Sequence, residues 1–169
     1  AEQKVVIARQ QEKLGVDVME AGFAASSEGD FESVQRVCKE VSRPRVVSLA
    51  RAQEGDIERA LKAVEQAHNP GIHTFIATSD IHLKHKLRMN RDEVLEAAVK
   101  AVSYAKRFTD YVEFSAEDAS RSDPEFLIQV FREVIRAGAK VINVPDTTGY
   151  AIPSEFGSLI ANLIEETAG

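Results

Sequence analysis

Short apolar, β-branched runs alternate with longer segments of helical period along the whole chain. This alternation constrains the fold more than any other feature. Residues 16–23, 45–50, 72–78, 111–115 and 141–144 read as strands. Between them, residues 30–41 read as a helix with Phe31, Val34, Cys38 and Val41 on one face. Residues 56–67 follow with Ile57, Ala60, Leu61 and Val64 inward. A long helix carries Val94, Leu95, Ala98, Val99 and Val102, and a later one carries Phe126, Leu127, Val130, Phe131, Val134 and Ile135. Asp123 before Pro124 is an N-cap followed by proline at the first helical position, and Gly138 stops that helix. A last helix holds Phe156, Leu159, Ile160, Leu163 and Ile164, and residues 1–14 form a helix ahead of the first strand. Most units repeat at about 30 residues, the length of a βα unit. Residues 79–90 read as a loop inserted in the third unit. Strands alternating with helices imply an α/β fold with a parallel sheet and right-handed crossovers, either open and doubly wound or closed as a barrel. No Gly-rich G-x-G-x-x-G turn follows the first strand, which weakens a dinucleotide-binding reading.

The 169 residues suit one domain. A net charge of −6 argues against a nucleic-acid-binding domain. No apolar run approaches the roughly 18 residues of a membrane span, and residues 1–13 are polar and charged, without a signal-peptide core. A cytoplasmic protein is therefore expected. The single cysteine, Cys38, rules out an intrachain disulfide framework and a Cys-based zinc cluster. It reads as a small, partly buried apolar residue.

Polar residues gather where the strands end. Glu20 closes the first; Ser48 and Arg51 the second; His73, Thr78 and Ser79 belong to the third. Glu113, Ser115 and Glu117 belong to the fourth, and Asn143, Asp146 and Thr147 to the fifth. With a period of two, Glu113, Ser115 and Glu117 share one face, and so do His73 and Phe75. A carboxylate facing the inside of a barrel costs several kcal/mol unless it is paired or hydrogen-bonded. One reading is a buried network that caps the barrel. The recurrence of polar ends on five strands favours a binding site. His82 and His85 lie in a Lys/Arg-rich loop with no acidic partner nearby in sequence, so a metal pair is not expected there. Lys84, Lys86, Arg88 and Arg91 could attract the phosphates of an acyl-CoA, but a solvated loop and helix start is the favoured reading.

The stretches KLGVDVMEAGF, GDFESV, LARAQEGDI, IHTFIATSDIHLKHKLRM, VEFSAEDASRSDPEFL and VINVPDTTGYAIPSEFG carry a resemblance. They resemble the catalytic barrel of the 2-isopropylmalate synthase family, within the wider group of metal-dependent Claisen-condensing and lyase barrels. The match runs over nearly the whole chain. The resemblance implies a (β/α)8 TIM barrel, of which residues 1–169 are a partial catalytic domain of about five βα units, strands two to six. By the same resemblance the first strand, the last two strands and a C-terminal regulatory domain lie outside this chain. The implied activity is the condensation of acetyl-CoA with 2-oxoisovalerate in leucine biosynthesis, by an acyltransferase that works as a homodimer. The family uses a divalent metal (Mg, Mn or Zn). Its ligands are expected on strands outside this chain, so none should be bound by this chain alone, and the isolated chain should be inactive and prone to self-association.

Residue by residue, the resemblance makes His73, Ser115 and Thr147 substrate-binding and Glu117 catalytic, near the acetyl group. Leu49 matches a position that packs on the branched side chain of the acceptor, where homocitrate synthases have a histidine. Glu113 matches a position at which those enzymes have an arginine. Both favour an apolar substrate tail over a second carboxylate. Phe75, on the His73 face, joins the substrate-binding set. Ala116 stands where proline is usual and Gln11 where leucine is usual, and neither blocks the match. Three alternatives stay open: a citramalate synthase taking pyruvate, a catalytically silent partial barrel, and a lyase running a retro-Claisen reaction.

Overall fold

In a computed structural model, which describes residues 2–167, the expected alternation is realised as a five-stranded parallel sheet with helices packed on one face. The strands are β1 (Val18–Gly22), β2 (Arg45–Arg51), β3 (Pro70–Ala77), β4 (Val112–Glu117) and β5 (Val141–Asn143). They pair in chain order, each parallel to the next. A doubly wound sheet would reverse its strand order at a switch point. Consecutive order without reversal is the winding of a barrel wall, which resolves the choice left open by the alternation.

The helices are α1 (Glu2–Leu14), α2 (Glu28–Glu40), α3 (Glu54–Val64), a single turn α4 (Asp80–His82), α5 (Arg91–Lys106), α6 (Pro124–Arg136) and α7 (Pro153–Thr167). Position 1 of the expected first helix lies outside the described residues. Each major start has a local cause. The Ser27 hydroxyl accepts the Asp30 N–H at the head of α2. Asn90 and Glu93 form a reciprocal capping box on α5, and Asp123 accepts the Phe126 N–H ahead of Pro124 in α6. The helix-side residues of the strands, among them Val46, Ile72, Ile76, Val112 and Phe114, are buried against α2, α3, α5 and α6. Phe114 and Phe131 meet edge to face at 6.3 Å between centroids. Cys38 is fully buried rather than partly, and burial pushes its thiol up to about 11, which makes it an unreactive core residue. Among the described residues no helix is long and apolar enough to cross a membrane.

Residues 79–90 depart from expectation. They are not a loop but α4 followed by a π-helical turn, Leu83–Leu87, which ends at Arg88 in the left-handed conformation. Of this segment's apolar side chains only Leu83 is buried, with Leu87 and Met89 packed against the core beside it. Three apolar anchors among five cationic and imidazole side chains give too weak a periodicity to be seen in the sequence. The turn nevertheless folds over the C-terminal ends of β3 and β4, as its bonds to the β4 end show.

Candidate active site

The strand register builds the site. Leu49, His73, Glu113 and Val141 are lateral neighbours on β2 to β5, and so are Arg51, Phe75, Ser115 and Asn143. Residues two apart share a face, so these two rows lie on the side away from the helices. His73 is the centre. Its ring is buried, with Nδ1 bonded to the Glu20 carboxylate and Nε2 2.6 Å from the Ser115 hydroxyl. An ionised Glu20 can only accept, so Nδ1 carries a proton, and in the neutral ring Nε2 accepts from Ser115. Glu113 Oε1 sits 3.8 Å from the same Nε2. Burial raises the Glu113 carboxyl above its ordinary 4.5; the nearby His73 opposes this and Glu20 reinforces it.

A second cluster lies at the end of β4. Glu117 accepts two bonds from Lys86 Nζ, at 2.6 and 2.7 Å, and its Oε1 is 3.9 Å from His82 Nε2. The next residue, Asp118, has a left-handed backbone (φ 65°) and a fully buried side chain. Its carboxylate accepts from Ser79 (2.5 Å), from His82 Nδ1 (3.0 Å) and twice from Arg121 (2.8 Å each). Burial raises the Asp118 carboxyl, but Arg121 and Ser79 outweigh it and hold the group below its ordinary 3.8. The Asp118 N–H donates to the Thr147 hydroxyl at 2.9 Å, which ties the exposed loop after β5 to β4. A cavity of about 340 Å³ adjoins Glu117 and is lined in part by Phe75, Lys86, Leu87 and Met89.

The structure therefore brings together Glu20, His73, Ser115 and Glu113 in direct contact, with Leu49 and Phe75 in the same rows and Glu117 and Thr147 linked through Asp118. Other strand-end polar residues are used elsewhere. Ser48 faces away from this side, buried, and donates to the Gly22 carbonyl at 3.0 Å. Arg51 forks onto Asp56. Thr78 shares a hydrogen bond with Ser122, and Asp146 closes its own loop by accepting from Ser120, Tyr150 N and Ala151 N. Ser48, Thr78 and Asp146 thus satisfy backbone and loop geometry, while Arg51 keeps its place in the Phe75 row and lines the cavity beside Glu117. His82 does have acidic partners, contrary to the sequence reading, because β4 delivers Glu117 and Asp118 across more than 30 residues of chain. Lys86 and Arg91 are exposed, as the solvated reading expects, and are also paired, Lys86 with Glu117 and Arg91 with Asp80 and Asp123. Asp118 was missed altogether: nothing in its sequence neighbourhood signals a residue whose backbone turns its side chain into the interior.

Among the described residues, no group of three or more His, Cys, Asp or Glu side chains is arranged to hold a metal ion. The two His–carboxylate pairs, Glu20–His73 and His82–Asp118, fall short of a ligand set, and their facing atoms are engaged in hydrogen bonds. These side chains do not by themselves fit a divalent metal.

The family model described as HMGL-like matches residues 1–168. The chain belongs to the HMGL-like family. Within it, the chain is 58% identical over 166 residues to the 2-isopropylmalate synthase of Nitratidesulfovibrio vulgaris, covering 98% of this chain and 32% of that protein. It is 59% identical over 163 residues to the 2-isopropylmalate synthase of Aquifex aeolicus, covering 96% of this chain and 31% of that protein. The chain thus spans about a third of the length of the curated relatives it matches. Among solved structures, hydroxymethylglutaryl-CoA lyase from Pseudomonas aeruginosa aligns with a TM-score of 0.76 at 19% identity, over 96% of this chain and 56% of that one. The Bacillus subtilis HMG-CoA lyase aligns with a TM-score of 0.71 at 17% identity, over 97% and 57%. At those identities the likeness speaks to the HMGL-like fold alone.

Proposed function

We propose that this chain is part of a 2-isopropylmalate synthase-type acyltransferase that condenses acetyl-CoA with 2-oxoisovalerate. The observation that carries the reading is the row Leu49–His73–Glu113, beside Ser115, in a chain 58% identical to a named 2-isopropylmalate synthase. Leu49 gives the row an apolar end, suited to a branched acceptor tail. Glu113, whose carboxyl burial raises above its ordinary value, repels a second carboxylate when ionised. His73, locked by Glu20, and the Ser115 hydroxyl are the donors and acceptors for the oxo acid. Thr147 is the donor for its carboxylate, Phe75 flanks the same face, and Glu117 acts at the acetyl group beside the apolar cavity. On this reading residues 1–169 are one part of a larger catalytic barrel, and any divalent metal would be held by residues outside this chain, where it would supply Lewis-acid chemistry. The complete protein would be a cytoplasmic homodimer.

The test is acetyl-CoA-dependent thiol release by the full-length protein that carries this chain, with 2-oxoisovalerate and pyruvate compared. The proposal expects 2-oxoisovalerate to give the higher kcat/KM. Higher kcat/KM with pyruvate would assign a citramalate synthase instead, and no release with either would refute the acyltransferase reading.

A further inference from the structure

The most heavily bonded side chain at the strand ends belongs to none of the residues assigned above. Asp118 is fully buried and gathers four donor contacts from three separate segments: Ser79 after β3, His82 in α4, and Arg121 after β4. Its backbone adopts the left-handed conformation, which a residue with a side chain adopts seldom and aspartate more readily than most. That turn sends the carboxylate into the interior while the N–H points the other way, to Thr147 Oγ1. A non-glycine outlier held by this many contacts at the mouth of a site is the kind of feature that positions other groups.

We propose that Asp118 is the positioning residue of this site: its side chain orients His82 toward the Glu117 carboxylate, and its backbone N–H holds the Thr147 hydroxyl. The geometry fixes the proton. The Ser79 hydroxyl donates to Asp118 Oδ2, and His82 Nδ1 lies 2.8 Å from Ser79 Oγ and 3.0 Å from Asp118 Oδ2, so both accept and the neutral ring carries its proton on Nδ1, with Nε2 turned toward Glu117 Oε1, 3.9 Å away. The Glu117 carboxylate is thus framed by Lys86 on one side and an imidazole of fixed orientation on the other. Two residues adjacent in sequence, Glu117 and Asp118, are used in opposite directions: one faces the cavity, and the other braces the β3, α4 and β5 segments around it. The same low pKa that Arg121 and Ser79 give Asp118 keeps its carboxylate an acceptor at neutral pH.

The inference rests on the acyltransferase reading for its effect on rate, but not for its geometry, and the experiment separates the two. In the full-length protein, Asp118→Asn and Asp118→Gly both remove the carboxylate while tolerating positive φ. Each is expected to lower kcat about tenfold or more while leaving KM for the oxo acid within about twofold, because the backbone contact to Thr147 survives. His82→Gln should lower kcat by a similar factor. The double variant His82→Gln/Asp118→Asn should be no worse than either single one, since the two residues act as a unit. A merely structural role would give additive losses. Nitrogen-15 NMR of the imidazoles should find His82 protonated on Nδ1 in the wild type, with that preference lost in Asp118→Asn. Additive losses, a kcat for Asp118→Asn within about twofold of wild type, or a wild-type His82 protonated on Nε2 would each overturn the proposal. Should the wild type lack acyl transfer, the functional reading fails while the NMR result alone decides the positioning.

Discussion

Glu20 lies in the middle of β1, and its place on His73 makes a quantitative prediction. The Glu20→Gln substitution keeps the size of the side chain and removes the charge that holds Nδ1–H. A hydrogen bond to a charged partner contributes about 1.5–3 kcal/mol where a neutral one contributes about 1. The Glu20 side chain is 44% exposed, so solvent screening places this loss at the low end, about 1 kcal/mol. A glutamine can also donate to Nδ1 and push the ring proton to Nε2. That proton would then face the Ser115 hydroxyl at 2.6 Å and reverse the direction of its bond. Misdirecting one neutral hydrogen bond adds about 1 kcal/mol at most. Together the loss is about 1–2 kcal/mol of transition-state alignment, or about 5- to 30-fold in kcat/KM. The assay is thiol release from acetyl-CoA by the full-length protein at varied oxo acid, with the thermal midpoint measured alongside. A kcat/KM within about twofold of wild type would refute the reasoning that Glu20 sets the working tautomer of His73.

Two further outcomes follow from the same contacts. Ser48→Ala should destabilise the protein by about 1–2 kcal/mol, because the buried hydroxyl that bonds the Gly22 carbonyl and the Ala24 N–H is removed, while KM for the oxo acid stays unchanged; urea denaturation and steady-state kinetics check both halves. Asp118 is held below its ordinary 3.8 in the folded state, so its stabilising contribution is present above that value and is lost as pH falls through the lowered one. The thermal midpoint of the wild type should therefore fall more steeply than that of Asp118→Asn as the pH drops below about 4, read by circular dichroism.

Much of the architecture was legible because it rests on periodicity. The strand at 45–50 and the helix at 30–41 are found at Arg45–Arg51 and Glu28–Glu40, since β-branched runs and a clear apolar stripe carry them. The Asp123–Pro124 start of α6 is where its cap chemistry requires. The shared face of Glu113 and Ser115 and that of His73 and Phe75 were also legible from a period of two, whereas the pairing of His73 with Glu113 across strands depends on the register. What escaped depends on backbone geometry or on distant partners. The 79–90 segment has three apolar anchors and folds by packing on the β3 and β4 ends rather than by its own pattern. Ser48 and Thr78 lie where site residues are sought, yet they bond backbone and loop groups on other faces. Asp118 depends on a positive φ and leaves no local trace in the sequence, while Glu20 is visible as a polar strand residue but its partner, a histidine 53 residues away, is not.

The most direct measurement is a crystal structure of the full-length protein with 2-oxoisovalerate bound. The account predicts the acid on the face of Leu49, His73 and Ser115, its branched tail against Leu49 and its carboxylate within hydrogen-bonding distance of Thr147 Oγ1. An acid bound away from that face, or one whose tail points to Glu113 with Leu49 untouched, would contradict it.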